Sequence, residues 1–260
     1  MFPLYDDVPS RRVPMVTIAV IVINCVVFLW SRGLPPIQQE TLAYQWGFVP
    51  ARIGQLVTHQ RIPVQIGPEQ LQLGPWGPMR GPIIILEPRP AEIALTLLTY
   101  LFLHGGWMHL LGNKWFLWLF GDSVEDRLGH AGFLIFYLLG GLAASFTQWL
   151  VFPNDKLPVI GASGAIAAVL GAYAVTWPWA RIYTLIFLFV FFTVVELPAM
   201  LFLGGWFVYQ ILAGVVGSHA VGQSVAWWAH IGGFAAGFLL MPVLEELLGV
   251  ERNTASIEGE

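Results

Sequence analysis

Charged residues are scarce in this chain of 260 residues: they make up 11% of it, whereas hydrophobic residues make up 57%. Soluble domains typically carry about 25% charged residues. The composition therefore excludes an ordinary soluble protein and predicts a polytopic membrane protein that resides in a lipid bilayer. The net charge of −4 is small, so nothing in the charge balance indicates a nucleic-acid partner.

Cysteine is almost absent as well. The single cysteine, Cys25, lies inside the first apolar run. One cysteine excludes an intramolecular disulfide and a cysteine metal cluster. An apolar setting also disfavours the thiolate, which is the nucleophilic form of the side chain, so a thiol nucleophile is not expected.

Long apolar runs predict an all-α fold with six membrane spans and both termini on one side, since about 20 residues cross a bilayer. The predicted spans are Met15 to Trp30, Gly106 to about Phe120, Ala131 to Phe152, Ser163 to Trp177, about Glu196 to Val216, and Ala226 to Leu244. The acidic and basic segment from Asp122 to Arg127 is predicted to form the turn between the second and third spans. Ile182 to Val195 is predicted to form a separate interfacial or re-entrant piece, and Glu196 to cap the fifth span.

The membrane domain is predicted to cover residues 15–244. Residues 1–14 precede it as a cytoplasmic N-terminus, and residues 245–260 follow it as a polar C-terminal tail. Residues 31–105 form a long first loop, in which the part from His59 to Pro90 shows Gly-Pro breaks and short alternating pieces typical of short strands. The side identified as cytoplasmic by the positive-inside rule carries Arg11, Arg12, Arg127 and Arg181. The long first loop carries five arginines on the other side, but loops longer than about 60 residues largely escape the rule.

Polar side chains inside spans are costly, so each one is a functional candidate. Ser163 begins the fourth span between Gly161 and Gly164, and His230 lies in the sixth. Both helices carry small residues on the same face as the polar side chain. In the sixth span these are Gly233 and Gly237, and the span that begins at Ser163 has a similar row of small residues. Such stripes allow helices to approach closely, which would bring a serine hydroxyl and a histidine nitrogen to about 2.6–3.2 Å.

A neutral imidazole can accept the serine proton near neutral pH. Acyl transfer also needs donors for the oxyanion, and His109 and Asn113 share one helix face because they are four residues apart. The backbone N–H of Ser163 is a third donor. The alternatives are structural: a small-residue packing motif at Ser163 and polar interhelical contacts at the other positions.

Metal and triad chemistry fit the sequence less well. His104, His109 and His230 are possible metal ligands by residue type, but the chain has no HExxH motif and no carboxylate beside them within a span. The same lack of a carboxylate favours a serine–histidine dyad over a Ser-His-Asp triad. The sequence therefore predicts a hydrolase without a metal or a cofactor.

Several motifs in this order resemble those of the rhomboid intramembrane serine proteases. Leu103 to Asn113 resembles the HxxxxHxxxN stretch of that family, Val124 to Gly129 its turn after the second span, Gly161 to Gly164 its GxSG motif, and Ala229 to Gly237 its final AHxxG…G motif. The resemblance covers roughly Leu95 to Met241.

The resemblance implies a six-span rhomboid-like bundle whose active site is sunk in the membrane and open to the non-cytoplasmic side. It implies that Ser163 is the nucleophile, His230 the general base, and His109, Asn113 and the Ser163 amide the oxyanion donors. Supporting roles are implied for His104, Gly161, Gly164, Gly233 and Gly237. The fifth span and the loop at about Val215 to Ser224 are implied to gate and cap the site.

Two positions depart from the family pattern. Some members have an aromatic residue four positions after the serine, stacked on the catalytic histidine, where this chain has Ala167. Trp227 or another ring is then expected to orient His230. Many members also carry a Trp-Arg pair in the first loop, where this chain has Leu95-Thr96.

The predicted function is an intramembrane serine endopeptidase that cleaves transmembrane segments of other proteins in the lipid bilayer, with the bacterial plasma membrane as the expected host. The alternative is a catalytically inactive rhomboid-like protein that binds membrane clients, although such a relative is expected to lose the serine or the histidine. A transporter would show inverted repeats or broken half-helices in matching positions, and the sequence shows no such symmetry.

Overall fold

The computed structural model describes residues 2–67, 72–74, 77–79, 81–188, 191–217 and 225–250. Its helices are α1 (Met15–Arg32), α2 (Pro36–Trp46), α3 (Ala51–Thr58), α4 (Pro90–Thr99), α5 (Trp107–Val151), α6 (Ser163–Thr176), α7 (Ala199–Gly217) and α8 (Trp227–Leu247). Its strands are β1 (Phe2–Asp6), β2 (Ile62–Gln65), β3 (Gln72–Gly74), β4 (Gly77–Met79), β5 (Ile83–Leu86), β6 (Arg181–Leu188) and β7 (Phe191–Pro198).

Four of the described helices, α1, α5, α7 and α8, are long and apolar enough to cross a membrane. At 45 residues α5 has twice the length of a span, and Gly129 interrupts it with a left-handed φ of 71°. The chain reverses there, because both halves of α5 reach the Ser163 end of the bundle: Gly161 lies beside His109 of the first half, and Gly164 beside Ala144 of the second. Together with the 14-residue α6, the helices are consistent with the six predicted spans.

The turn between the second and third spans is not where the sequence predicted it. Asp122 to Arg127 remain helical, and the reversal occurs at Gly129. A charged residue of this segment, Glu125, forms hydrogen bonds to a neighbouring helix instead. Glu125 is buried and accepts the N–H groups of Val16 and Thr17 at 2.8 and 2.7 Å, which satisfies free donors at the start of α1.

The segment from Ile182 to Val195 is separate from the fifth span, and its secondary structure was not predicted. Its described residues form an antiparallel hairpin, β6–β7, which β1 extends to three strands in the order β1-β6-β7. A run of apolar, β-branched and aromatic residues has the same hydropathy in a strand as in an interfacial helix. Glu196 lies in β7 beside Arg181 at 3.4 Å rather than at the end of a span, since α7 begins after Pro198.

Helix α6 lies at the centre of the bundle, and its residues from Gly164 to Ala174 are all buried. It packs against α5 and α8. Small residues make this possible: a Cβ at Gly237 would collide with the carbonyl oxygen of Ala168, and one at Gly171 with that of Phe234. The middle of α6 is therefore in direct backbone contact with α8.

The first loop carries the short strands expected from its sequence, with β2 paired to β5 and β3 to β4. It also contains α2, α3 and α4, which the sequence analysis had treated as loop. A separate cluster of Tyr44, Val49, Val64 and Leu86 holds part of it together. Backbone hydrogen bonds between Phe48 and Val159 attach the loop to the Ser163 end of the bundle.

Candidate active site

Ser163 is the first residue of α6, directly after a tight backbone bend. Gly161 in that bend has φ 118°, a conformation that side chains rarely tolerate. A Cβ at Gly161 would also stand 2.5 Å from His109 Nε2. The glycine is thus required by its own conformation and by the close approach of the imidazole.

His230 lies against Ser163, with Nε2 2.7 Å from the serine Oγ. The approach depends on the packing of α8 on α6, because a Cβ at Gly233 would collide with the carbonyl oxygen of Gly164. A separation of 2.7 Å is within hydrogen-bond reach for a nucleophile and its base. The two residues singled out by the sequence are therefore brought together, 67 positions apart in the chain.

Gln210 of α7 contacts the other ring nitrogen of His230, with Oε1 2.8 Å from Nδ1. Its side chain is buried. An amide oxygen only accepts hydrogen bonds, so we assign the imidazole proton to Nδ1 from this geometry. The lone pair of Nε2 then faces the hydroxyl of Ser163, as a general base requires.

Two tryptophan rings stand around His230 where Ala167 leaves the stacking position of α6 without an aromatic ring. The centroid of Trp206 is 6.0 Å from that of the imidazole, and the centroid of Trp227 is 6.2 Å away at an interplanar angle of 90°. Trp227 was anticipated from the sequence. Neither ring stacks face to face on the imidazole of His230. The contact that orients the imidazole most directly is therefore the hydrogen bond from Nδ1 to Gln210.

His109 and Asn113 face the Gly161 bend from α5. The N–H of Gly105 donates to His109 Nδ1 at 3.4 Å, which leaves the proton on Nε2, close to Gly161. Asn113 is 8% exposed, and its Nδ2 has no hydrogen-bond partner among the described residues. Two side-chain donors are thus directed toward the backbone in front of Ser163.

His104 is buried behind this pair, and its ring centroid lies 5.1 Å from that of His109. It does not contact Ser163 or His230 in the described hydrogen bonds. Its position is that of a packing neighbour of His109.

A cavity of about 640 Å³ is lined by five of these residues, namely Ser163, His230, Gln210, His109 and Asn113. The cavity extends from Ser163 toward Phe116 on α5 and Trp206 on α7, and no Asp or Glu is among its described lining residues. The rest of its lining is mainly apolar or small. Such a site can bind an apolar peptide segment with a few polar groups at one point, which is the usual composition of a specific pocket.

Gln210 is the residue that the sequence analysis missed. It is the only amide side chain in α7, and the rule that polar groups inside spans are functional candidates would have found it. Its partner was not visible in the sequence, because contact between α7 and α8 is a property of the tertiary packing.

The fold and site define a helical membrane protein with a buried serine–histidine–glutamine chain of contacts. The model of the rhomboid domain family matches residues 92–246, which is more than half of the chain. The chain therefore belongs to the rhomboid family, as its motifs indicated.

Three relatives illustrate the similarity. Rhomboid-like protein 11, chloroplastic, from Arabidopsis thaliana is 33% identical over 159 residues, covering 57% of this chain and 51% of that protein. The mitochondrial presenilin-associated rhomboid-like protein of Homo sapiens is 26% identical over 174 residues, covering 64% and 42%. Putative rhomboid protease YdcA of Bacillus subtilis (strain 168) is 39% identical over 77 residues, covering 30% and 38%. The aligned region spans about half or less of each relative.

Proposed function

We propose that this rhomboid-family protein is an intramembrane serine endopeptidase that cleaves transmembrane segments of membrane proteins. The observation that supports it most directly is the contact of Ser163 Oγ with His230 Nε2 at 2.7 Å, with Nδ1 held by Gln210 on the other side of the ring. A packing role for the serine requires neither the base nor its partner.

In the proposed reaction His230 Nε2 takes the hydroxyl proton while Ser163 Oγ forms a bond to the carbonyl carbon of the substrate. The imidazolium then gives that proton to the leaving amine as the C–N bond breaks, and an acyl-enzyme remains. Water attacks the ester with His230 again as base, which releases the acid and restores Ser163. The role of Gln210 is to accept the Nδ1 hydrogen bond throughout and to keep the ring in this tautomer.

The developing oxyanion would be bound by Asn113 Nδ2, His109 Nε2 and the N–H of Ser163. Support for Asn113 comes from its buried nitrogen, which has no partner among the described residues, and for His109 from its position beside Gly161. Losing one oxyanion donor typically costs about 2.7–4 kcal/mol of transition-state stabilisation.

The apolar surroundings of the cavity favour a transmembrane segment as substrate. Such a segment must unwind locally to present a peptide bond, and helix-breaking small residues near the cut make this easier. We place its entry between α5 and α7, since the cavity reaches Phe116 and Trp206. The gate and cap proposed for about Val215 to Ser224 fall mostly on residues 218–224, which lie outside the described residues.

The alternative function is the binding of membrane clients without cleavage. It predicts no selective chemistry at Ser163 and no loss of function when the hydroxyl is removed. The aligned serine and histidine, and the tautomer assigned to His230, favour the protease.

Labelling by a fluorophosphonate or isocoumarin probe distinguishes the two functions. The purified protein should be labelled at Ser163 and should cut a single-span reporter protein, and Ser163→Ala should abolish both while the melting temperature in detergent is retained. Undiminished cleavage by the folded Ser163→Ala variant would contradict the mechanism. Stable binding of the reporter with no labelling of the native protein would favour client binding.

The protein is an integral membrane protein, and we propose the bacterial plasma membrane as its host, with both termini cytoplasmic. The names of its relatives include a chloroplastic, a mitochondrial and a bacterial protein. These relatives support a location in a membrane, but their names do not share one organelle or organism.

A further inference from the structure

The three-stranded sheet β1-β6-β7 rises along α5 toward the middle of the membrane. At the polar end of α5 the N–H of Arg11 donates to Asp126 at 3.3 Å. Farther along, Trp115 Nε1 donates to the carbonyl oxygen of Pro3 at 2.7 Å, and its ring lies 4.9 Å from that of Phe2. From Asp126 to Trp115 an α-helix advances about 16 Å, which is about half the thickness of a hydrocarbon core.

The composition of the sheet follows this depth. Its lower end carries ions: the N–H of Arg181 donates to Asp7 at 2.8 Å, and the Arg181 guanidinium lies 3.4 Å from Glu196. At the level of Trp115 the row Phe2–Leu185–Val194 is apolar. The ionic end is thus suited to the membrane surface and the upper part to lipid.

The upper part of β7 stands outside the protein core. Phe191 and Phe192 are each 75% exposed and Val194 is 48% exposed. In the described part of the chain β7 is the outermost strand of the sheet, so the backbone groups on its outer side have no strand partner there. Open sheet edges are not tolerated in lipid, because no water is present to bond their N–H and C=O groups.

Strand β7 is connected to the candidate catalytic site through one helix. It leads through Pro198 into α7, which carries Trp206 and Gln210 to His230. On its other side the sheet packs on Trp115, and the next residue, Phe116, lines the catalytic cavity. The sheet is therefore linked at β1 to α5 and at β7 to α7, which both contribute residues to the cavity lining.

We propose that the outer edge of β7 is a docking site that binds an unwound, extended part of a transmembrane substrate by strand addition. This inference rests on the proposed function. A segment that leaves its helix in lipid loses partners for its backbone groups, and the edge of β7 offers complementary groups at the same depth. Exposed Phe192 and Val194 would contact its apolar side chains, as alternate side chains do in strand-addition complexes.

Disulfide cross-linking tests the proposal without requiring catalysis. Val194→Cys is placed in a chain that also carries Ser163→Ala and Cys25→Ala, and it is combined with single cysteines along the span of a reporter that the wild-type protein cleaves. Leu139→Cys is the matched control, because Leu139 is 40% exposed near the middle of the second half of α5.

Cross-links from Val194→Cys should recur at every second reporter position, since side chains alternate along a strand. Leu139→Cys should give only background. A period of three to four would mean that a helix docks there and would overturn the proposal. Disulfide-linked dimers of the Val194→Cys chain, with no reporter adduct, would instead assign the edge to a second copy, and a yield equal to that of Leu139→Cys would mean lipid alone covers it.

This outcome is separable from that of the proposed function. Probe labelling of Ser163 and reporter cleavage are measured on the protein with native β7. A protein that is labelled and active but shows no periodic cross-linking retains the protease function and lacks this docking site.

Discussion

Gln210 has the most specific role of any single residue in the site beyond the serine and the histidine. Its oxygen lies 2.8 Å from His230 Nδ1, and it belongs to α7 rather than to either helix that carries the proposed catalytic pair, Ser163 and His230. The direction of the imidazole therefore depends on a third helix. A displacement of α7 would remove the acceptor and leave the base free to change its tautomer.

Replacing Gln210 by Met should slow the labelling of Ser163 by a fluorophosphonate. Loss of a buried hydrogen-bond partner costs about 1–3 kcal/mol, which corresponds to about 5- to 150-fold in rate. Gln210→Glu retains an oxygen acceptor and should label faster than Gln210→Met. The measurement is the second-order labelling rate, which does not depend on entry of a transmembrane substrate.

For cleavage of the reporter, the same substitution should lower kcat more than it changes KM, because the side-chain oxygen of Gln210 is bonded to Nδ1 of the proposed base. Equal labelling rates for Gln210→Met and the native protein, in folded samples, would show that the contact does not position His230.

At the scale of elements, the packing of α6 on α8 requires the absence of side chains at defined points. A Cβ at Gly237 would collide with the backbone of Ala168, whereas one at Gly204 of α7 would meet nothing within 4 Å. Both glycines are helical, so their substitution by alanine changes intrinsic helix propensity in the same favourable direction. The two positions differ in the space available.

Gly237→Ala should therefore lower the melting temperature in detergent, with overpacking costing about 1–3 kcal/mol. It should also reduce labelling of Ser163, because α8 carries His230. Gly204→Ala should match or slightly exceed the native melting temperature. A melting temperature for Gly237→Ala equal to that of the native protein would contradict the close backbone packing of α6 and α8.

The elements also show what the sequence could and could not predict. The pairing of Ser163 with His230 was accessible because both lie on small-residue faces, and small residues at helix contacts have a known physical reason. The β6–β7 hairpin was not, because hydropathy does not distinguish strands from an interfacial helix. Its pairing with Phe2–Asp6 joins segments about 180 positions apart, which no local pattern encodes.

At the scale of the whole molecule, the end of the bundle opposite to Ser163 carries ion pairs that join its helices. Arg127 pairs with Glu245 at 2.7 Å, and Arg12 lies 3.9 Å from Asp126. Arg11 and Arg181 belong to the same end through Asp126 and Asp7. All four arginines that the sequence assigned to one side are therefore found together, at the end opposite to Ser163.

The arginines of these short segments predict the orientation of the protein in a bacterial membrane. Short loops rich in arginine remain in the cytoplasm, whereas long loops such as residues 31–105, which carry five arginines near the other end, largely escape the rule. The end with Arg127 should therefore face the cytoplasm and the end with Ser163 should face away from it. Two exposed residues mark the ends: Trp179 is 70% exposed between α6 and β6, and Leu157 is 46% exposed between α5 and α6. Each can be replaced by cysteine in a chain with Cys25→Ala.

A membrane-impermeant maleimide should label Leu157→Cys in spheroplasts and Trp179→Cys only in inverted vesicles. Labelling of Ser163 by a fluorophosphonate in both variants serves as the control for folding. The opposite maleimide pattern would place the catalytic cavity toward the cytoplasm. Substrates would then have to present their unwound, cleavable part at the cytoplasmic surface. The orientation predicted from the arginines would be wrong. The expected pattern instead directs the search for substrates to spans whose helix-breaking residues lie on the non-cytoplasmic side, because only those can reach Ser163 from its open end.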